Sequence, residues 1–174
     1  MQWLKIQFLF RVTLLWNVIL GRWLRIRDWW TQIDEHVYLG ALPFSSDVDT
    51  LYNLGVRAVV NTCLEYEGPL AEYERLGIQQ CYIPTQDFTH PTLADVESAV
   101  NFIDDMVRQG HKVYVHCKAG RARSATILLC WMCRHYHKQA TEIQQLLLEK
   151  RPHVNPRIKD RPVVKEFLAI NHLD

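Results

Sequence analysis

A short apolar run leads directly into a polar loop and then into a helix that is apolar on nearly every side. Residues 111–115 form the strand-like run, residues 116–124 form the loop, and the helical pattern continues to about residue 137. A helix without a polar face has to be central and covered by other elements. The 174 residues, 48% of them hydrophobic, are enough to build those layers in one domain.

Strand-like and helix-like patterns alternate along the rest of the chain. Apolar runs predict further strands at residues 37–42, 56–62 and 79–83. Periodicity and helix-end signals predict further helices at residues 47–54, 70–76, 93–107, 140–151 and about 161–173. Such alternation indicates an α/β fold with a central, mostly parallel sheet flanked by helices.

The loop at residues 116–124 reads His-Cys-Lys-Ala-Gly-Arg-Ala-Arg-Ser, a set of groups that suits an anion. The N-terminus of the following helix presents unpaired N–H groups and a positive dipole end. These groups and the neighbouring cations lower a thiol pKa, so we expect Cys117 to be a nucleophilic thiolate. Arg123 can hold two phosphate oxygens with its planar guanidinium, and Gly120 permits the tight turn. The Ser124 hydroxyl can donate a hydrogen bond to the sulfur.

Expulsion of an alcohol from a phosphate also needs a proton donor. Asp87 is the candidate, because it lies in the segment 84–91 after a predicted strand, where two prolines exclude a regular helix. A positioned carboxylic acid contributes typically about 10²–10⁴-fold to such a step. His90 in the same segment is an alternative donor.

The pattern His-Cys, five residues, Arg-Ser resembles the signature of the cysteine-dependent protein tyrosine and dual specificity phosphatases. More narrowly, the chain is similar to the mitochondrial phosphatidylglycerophosphate phosphatases from about Arg27 to Phe167. The segments that carry this similarity are Arg27-Asp28-Trp29-Trp30, Ile33-Asp34, Leu39-Gly40-Ala41-Leu42-Pro43, Glu65-Tyr66-Glu67 and the loop. The chain departs from the common family pattern at Leu64, where Glu is usual, and at Ala122, where Ser or Gly is usual.

The resemblance implies a single-domain cysteine-dependent phosphatase fold and a reaction through a cysteinyl-phosphate. The expected catalytic residues are Cys117, Arg123, Asp87, Ser124 and His116. The expected substrate contacts are Lys118, Ala119, Gly120, Arg121, Ala122, Glu65 and Tyr66. The implied reaction converts phosphatidylglycerophosphate to phosphatidylglycerol in the cardiolipin pathway. A dual specificity protein phosphatase, a phosphoinositide phosphatase and a non-catalytic membrane scaffold that binds a phosphorylated ligand are the alternatives.

The cysteine content indicates a reducing compartment. The chain has five cysteines, an odd number without a paired framework. Cys130, Cys133 and His137 share one helix face, but their apolar surroundings favour core packing over a metal site. We expect neither a metal nor a cofactor.

The N-terminal segment differs in charge from the rest of the chain. Residues 1–27 contain five basic and no acidic side chains, whereas the remaining residues contain four more acidic than basic ones. The domain has no basic stripe, which argues against a nucleic acid partner. The longest uncharged stretch after Arg11 is Val12–Gly21, shorter than the roughly 20 residues that span a bilayer. On one continuous helix, Arg11, Arg22 and Arg25 would share a narrow sector.

These features divide the chain into residues 1–30, a basic hydrophobic segment, and residues 31–174, the phosphatase domain. We expect the first segment to lie on a membrane surface or to act as a targeting signal, with a spanning helix and a helix packed on the domain as alternatives. The absence of serine from it argues against a cleavable transit peptide. The expected protein is a monomer on the matrix side of the mitochondrial inner membrane, acting on an anionic phospholipid. Another intracellular membrane or the cytoplasm is the alternative location.

Overall fold

A five-stranded sheet lies at the centre of the protein, for which a computed structural model describes residues 2–173, with side chains from residue 7 onward. The strands are β1 (Trp30–Gln32), β2 (Val37–Gly40), β3 (Val56–Cys63), β4 (Gln79–Thr85) and β5 (Lys112–His116), in the order β1-β2-β5-β3-β4. Only β1 and β2 are antiparallel to each other, and the other neighbours are parallel. The predicted α/β class with a mostly parallel sheet is therefore confirmed.

Seven α-helices surround the sheet in the described part of the chain. They are α1 (Gln2–Val18), α2 (Val48–Asn53), α3 (Leu70–Leu76), α4 (Leu93–Arg108), α5 (Arg123–Tyr136), α6 (Ala140–Lys150) and α7 (Pro162–Ile170). Each helix predicted for the domain is present, with ends displaced by at most three residues. Strand β1 was not predicted, because three residues are too few to show a period.

Alternate side chains of the strands divide the core between the two faces of the sheet. Val113 and Val115 of β5 pack in the cluster that contains the buried faces of α4, α5, α6 and α7. Tyr114 points to the opposite face, where residues from α2 and from α3 with the turn after it complete a second cluster. Residues Arg123–Cys133 of α5 are all buried, which confirms the prediction that this helix is central.

The N-terminal helix packs on the domain over part of its length. Phe10 and Leu20 are buried, and Arg22 forms an ion pair with Asp47 while lying over the Trp29 ring. A π-helical turn at Ile19–Trp23 follows α1 and changes the angular position of the side chains.

The predicted common sector of Arg11, Arg22 and Arg25 is therefore wrong. The helix ends before Arg25, whose φ is +50°, and Arg22 is turned toward the domain. The outward side of this region is nonetheless strongly apolar, with Phe8, Leu15, Trp16 and Trp23 each more than half exposed. Among the residues described, we find no helix of the length and apolar character needed to cross a membrane.

Candidate active site

Three segments that follow parallel strands meet at one edge of the sheet. Residues 116–124 connect β5 to α5, Glu65 lies two residues after β3, and Asp87 lies two residues after β4. Ligands of α/β proteins bind at this edge, outside the carboxyl ends of the strands. Residues 116–124 form the floor of a cavity of about 470 Å³, and α1 together with residues 87–89 forms its rim. We call these two parts the cavity floor and the cavity rim.

Cys117 lies in the cavity floor immediately after β5, and only 4% of it is exposed. Burial alone would raise the pKa of its thiol. The Arg123 guanidinium, the Ser124 hydroxyl and the backbone N–H groups of Ser124 and Ala119 outweigh burial and lower that pKa to about 6. The sulfur is therefore mainly a thiolate at neutral pH, the reactive form of cysteine.

Two features behind the cavity floor fix its backbone. Gly120 has a φ of +65°, and a Cβ there would lie 2.5 Å from the carbonyl oxygen of Gly40, so no larger residue fits. Arg151 is 1% exposed and donates to the carbonyl oxygens of Gly120 at 3.2 Å, Ala119 at 3.1 Å and Asp28 at 2.9 Å. Sequence reasoning missed Arg151, because nothing in the local pattern distinguishes it from an exposed arginine at a helix end.

Arg123 approaches the sulfur from the first turn of α5 and is held firmly from behind. It is 3% exposed, and its Nη1 donates to the carbonyl oxygen of Thr85 at 2.7 Å and to Glu65 Oε2 at 3.0 Å. Its Nη2 lies 3.1 Å from Asp87 Oδ1 on the cavity side. The structure thus brings the predicted nucleophile, phosphate clamp and proton donor together.

Glu65 links the arginine to the segment that carries Asp87. Its fully buried side chain contacts Arg123 through Oε2 and accepts a hydrogen bond from the backbone N–H of Asp87 through Oε1, at 2.6 Å. Tyr66 donates its hydroxyl to the carbonyl oxygen of Pro43 at 2.6 Å. Neither Glu65 nor Tyr66 lines the cavity, so the geometry favours positioning roles over the substrate contacts expected from the sequence.

Lys118 joins the cavity floor to the cavity rim. Its buried ammonium forms an ion pair with Asp87 and donates to Thr13 Oγ1 of α1 at 2.6 Å. The same ammonium lies 5.3 Å from the ring centre of Phe10 and 5.1 Å from that of Phe88. The side chain of Asp87, 14% exposed, thus lies between two cations at the cavity wall.

His116 and Ser124 are the end residues of the cavity floor, and neither lines the cavity. His116 is fully buried, and burial, reinforced by the charge of Arg123, lowers its pKa to about 3, so the imidazole is neutral. It stacks on Tyr114, and neither ring nitrogen has a hydrogen-bond partner within residues 2–173. The buried Ser124 hydroxyl likewise has no nitrogen or oxygen partner in this range. It acts instead on the Cys117 thiolate, because it lowers the pKa of that thiol.

The remaining predicted positions differ in their access to the cavity. Ala119, Arg121 and Ala122 line it, whereas Gly120 faces Gly40 and does not. His90, the alternative donor, is exposed and does not line it. Sequence reasoning missed six lining residues that come from distant parts of the chain, namely Thr13, Trp16, Asn17, Arg27, Asn155 and Arg161.

The catalytic-domain model of the dual specificity phosphatases matches residues 37–167, which is most of the chain. The chain belongs to the dual specificity phosphatase family. The resemblance predicted from the loop is thereby confirmed, as is the enzyme class, a cysteine-dependent phosphatase.

Two relatives of this dual specificity phosphatase have names that refer to phosphatidylglycerophosphate. Phosphatidylglycerophosphate phosphatase PTPMT2 of Arabidopsis thaliana is 37% identical over 92% of the chain and 72% of the relative. Phosphatidylglycerophosphatase and protein-tyrosine phosphatase 1 of Rattus norvegicus is 36% identical over 91% of the chain and 87% of the relative. The crystal structure of PTPMT1 in complex with PI(5)P superimposes with a TM-score of 0.76 at 32% identity, covering 83% of this chain and 97% of that one.

Proposed function

We propose that this phosphatase removes the terminal phosphate of phosphatidylglycerophosphate and releases phosphatidylglycerol. The names of two relatives, each covered over more than two thirds of its length, support this substrate. The proposal is strengthened by the surroundings of the cavity, which suit a phosphate carried by a lipid.

The observation that carries the proposal is an exposed apolar surface that adjoins the cavity. Trp16 and Phe88 belong to the cavity rim and are 58% and 74% exposed, and further exposed apolar side chains extend along α1. Arg11 and Arg25 are exposed in the same region. A surface that combines aromatic and basic side chains binds the interface of an anionic bilayer. It would leave the acyl chains in the membrane while the headgroup enters the cavity.

The first chemical step forms a bond between Cys117 Sγ and phosphorus while the bond from phosphorus to the glycerol oxygen breaks. Asp87, in its protonated form, gives its proton to that oxygen, so the product leaves as an alcohol. Arg123 and the backbone N–H groups of the cavity floor hold the three remaining phosphate oxygens. Binding of the phosphate replaces Asp87 as the partner of Lys118 and Arg123, which frees the carboxyl group for this transfer.

The second step hydrolyses the cysteinyl-phosphate. Asp87, now a carboxylate, takes a proton from the attacking water, whose oxygen bonds to phosphorus as the bond to sulfur breaks. The Ser124 hydroxyl stabilises the departing thiolate, because it already lowers the pKa of Cys117. Glu65 holds the Arg123 guanidinium and the Asp87 backbone in position during both steps. Neutral His116 supports the floor from behind without exchanging a proton.

The surroundings of the active site also bear on location and partners. We propose that residues 1–30 bind a membrane surface and that residues 31–174 form the phosphatase domain. The proposed location is the matrix face of the mitochondrial inner membrane, where the domain acts as a monomer. A reporter fused to residues 1–30 and imaged beside mitochondrial and other organelle markers tests this placement, and a diffuse signal would contradict it.

The substrate is tested by phosphate release from vesicles that contain one phosphomonoester lipid at a time. We expect kcat/KM to be highest for phosphatidylglycerophosphate, compared with phosphatidic acid, PI(5)P and a soluble phosphotyrosine peptide. The matched Cys117→Ser variant should release no phosphate above background.

Other outcomes identify the alternatives. A preference for the peptide indicates a dual specificity protein phosphatase. A preference for PI(5)P indicates a phosphoinositide phosphatase, a candidate favoured by the complex of the PTPMT1 relative. Vesicle binding without turnover of any substrate would indicate a scaffold that binds phosphorylated ligands.

A further inference from the structure

The cavity that holds Cys117 is lined by more basic than acidic side chains. Five basic side chains line it, against the single carboxylate of Asp87; they are Arg27, Lys118, Arg121, Arg123 and Arg161. Lys118 and Arg123 both form ion pairs with Asp87. The Asp87 carboxylate therefore pairs with two of the five cations.

The other three cations, which we call the distal arginines, are Arg27, Arg121 and Arg161. None of them forms an ion pair with a carboxylate in the described part of the chain. Arg161 Nη1 donates to the hydroxyl of Thr126 at 2.8 Å, and Arg121 Nε donates to the carbonyl oxygen of His153 at 2.8 Å. These neutral acceptors use one N–H group each and leave the positive charge without compensation.

The positive charge of this region affects a neighbouring group. His153 lies against it, and its pKa is lowered to about 3, first by burial and then by the charges of Arg151, Arg27 and Arg121. Arg27 and Arg161 are both half-buried, so bulk water screens them less than it would screen surface arginines. Uncompensated, partly desolvated guanidinium groups in a cavity favour an anionic ligand.

We propose that the distal arginines form a second anion subsite, which binds the phosphodiester of the lipid while Cys117 attacks its phosphomonoester. This inference rests on the proposed function. Phosphatidylglycerophosphate carries a phosphate at each end of a glycerol, and only the terminal one is hydrolysed. The amide side chains of Asn17 and Asn155 line the same cavity and offer neutral donors for the same ligand.

The distal arginines come from three separate parts of the chain, and together they would confer specificity on the cavity. Arg27 follows the N-terminal helical region, Arg121 belongs to the cavity floor, and Arg161 precedes α7. A phosphomonoester without a second phosphate, such as phosphatidic acid or a phosphotyrosine peptide, reaches Cys117 but leaves these guanidinium groups unused. The subsite would therefore select a substrate that carries a phosphodiester one glycerol away from the reacting phosphate.

The test compares two substrates in the full-length protein. Short-chain phosphatidylglycerophosphate, kept in monomeric solution, carries both phosphates, whereas p-nitrophenyl phosphate carries one. We expect Arg27→Gln and Arg161→Gln each to lower the ratio of kcat/KM for the lipid over that for p-nitrophenyl phosphate by about 10-fold, the value of one charge-assisted hydrogen bond. Arg157→Gln, an exposed arginine outside the cavity lining, is the matched control and should keep the wild-type ratio.

An unchanged ratio in both distal variants would overturn the subsite. So would an equal loss on both substrates, because it would mean that these arginines only support the cavity floor. Arg161→Lys, which keeps the charge, should retain part of the ratio and thereby separates loss of charge from loss of packing around α7.

A separate outcome concerns the lipid itself. If the wild-type protein turns over p-nitrophenyl phosphate but shows no preference for phosphatidylglycerophosphate, the proposed function fails. The subsite is then judged with glycerol 1,3-bisphosphate and glycerol 3-phosphate. A wild-type preference for the bisphosphate that Arg27→Gln abolishes supports the subsite, and equal use of the two compounds overturns it.

Discussion

The cavity floor and the cavity rim are built by opposite means. In the floor, Cys117 and Arg123 are almost wholly buried, and backbone carbonyl groups and Arg151 fix their surroundings. In the rim, Trp16 and Phe88 are mostly exposed, and the left-handed backbone of Phe88, at a φ of +65°, turns an aromatic side chain toward solvent. From this difference we infer that the floor carries the thiolate chemistry, whereas the exposed aromatic side chains of the rim contribute to the choice of substrate.

One side chain connects the two parts. Lys118 belongs to the floor by sequence, yet its ammonium contacts Thr13 of α1, the Asp87 carboxylate and the ring of Phe88. A change in the rim can therefore reach the proposed proton donor without altering the thiolate. Apart from Arg121, which is one of the distal arginines, variants in the floor should affect every phosphomonoester alike. Variants of the exposed aromatic side chains in the rim should separate lipid from soluble substrates.

The largest effect is expected from Arg123→Lys. Lysine keeps the charge but cannot hold two phosphate oxygens at once, so kcat should fall about 10²–10³-fold. Single-turnover measurements with p-nitrophenyl phosphate and with phosphatidylglycerophosphate vesicles should give the same loss. A loss confined to the lipid would show that Arg123 acts in substrate choice, and it would contradict the proposed difference between floor and rim.

The next effect is expected from Asp87→Asn, which removes the transferable proton. Hydrolysis of the lipid should slow by about 10²-fold. The loss should be smaller for p-nitrophenyl phosphate, because p-nitrophenolate leaves without being protonated. His90→Asn is the control and should change kcat little. Equal losses for the two leaving groups would mean that Asp87 acts on binding and not on proton transfer.

The pH dependence of Cys117 alkylation measures the electrostatics of the floor directly. A thiol pKa of about 6 means that the inactivation rate with iodoacetamide is constant above that pH and falls as the thiolate is protonated below it. Ser124→Ala removes one of the groups that lower this pKa, so the midpoint should rise by about one unit, the value of one hydrogen bond. A midpoint near that of free cysteine in the wild-type protein would contradict the predicted thiolate.

The smallest effect is expected in the rim. Phe88→Ser or Trp16→Ser removes apolar area from the proposed membrane contact, so the ratio of vesicle to p-nitrophenyl phosphate activity should fall by about 10-fold. Ile170→Ser, an exposed apolar residue at the end of α7, is the matched control and should keep that ratio. A rim variant that lowers both activities equally would show that floor and rim do not divide chemistry from substrate choice.

Most of the features that could be predicted depend on residues that are close together in the sequence. The strand, loop and helix around Cys117 were predictable because each depends on a local pattern, and Gly77 ends α3 in the left-handed conformation expected of a C-terminal glycine. The thiolate environment was predictable for the same reason, since Ser124 and Arg123 lie within seven residues of the sulfur and act on it directly.

The sequence alone thus determined the fold class, the order of the elements and the chemical groups around the sulfur. Only the tertiary structure decided that Arg151 supports the cavity floor and also contacts Asp28, 123 residues earlier in the chain. It alone decided that Lys118 turns toward α1 and that Arg27 and Arg161 line one cavity. These contacts join residues that are distant in the chain and follow no helical or strand period. They arise from the packing of complete elements, so their local sequence patterns carry no sign of them.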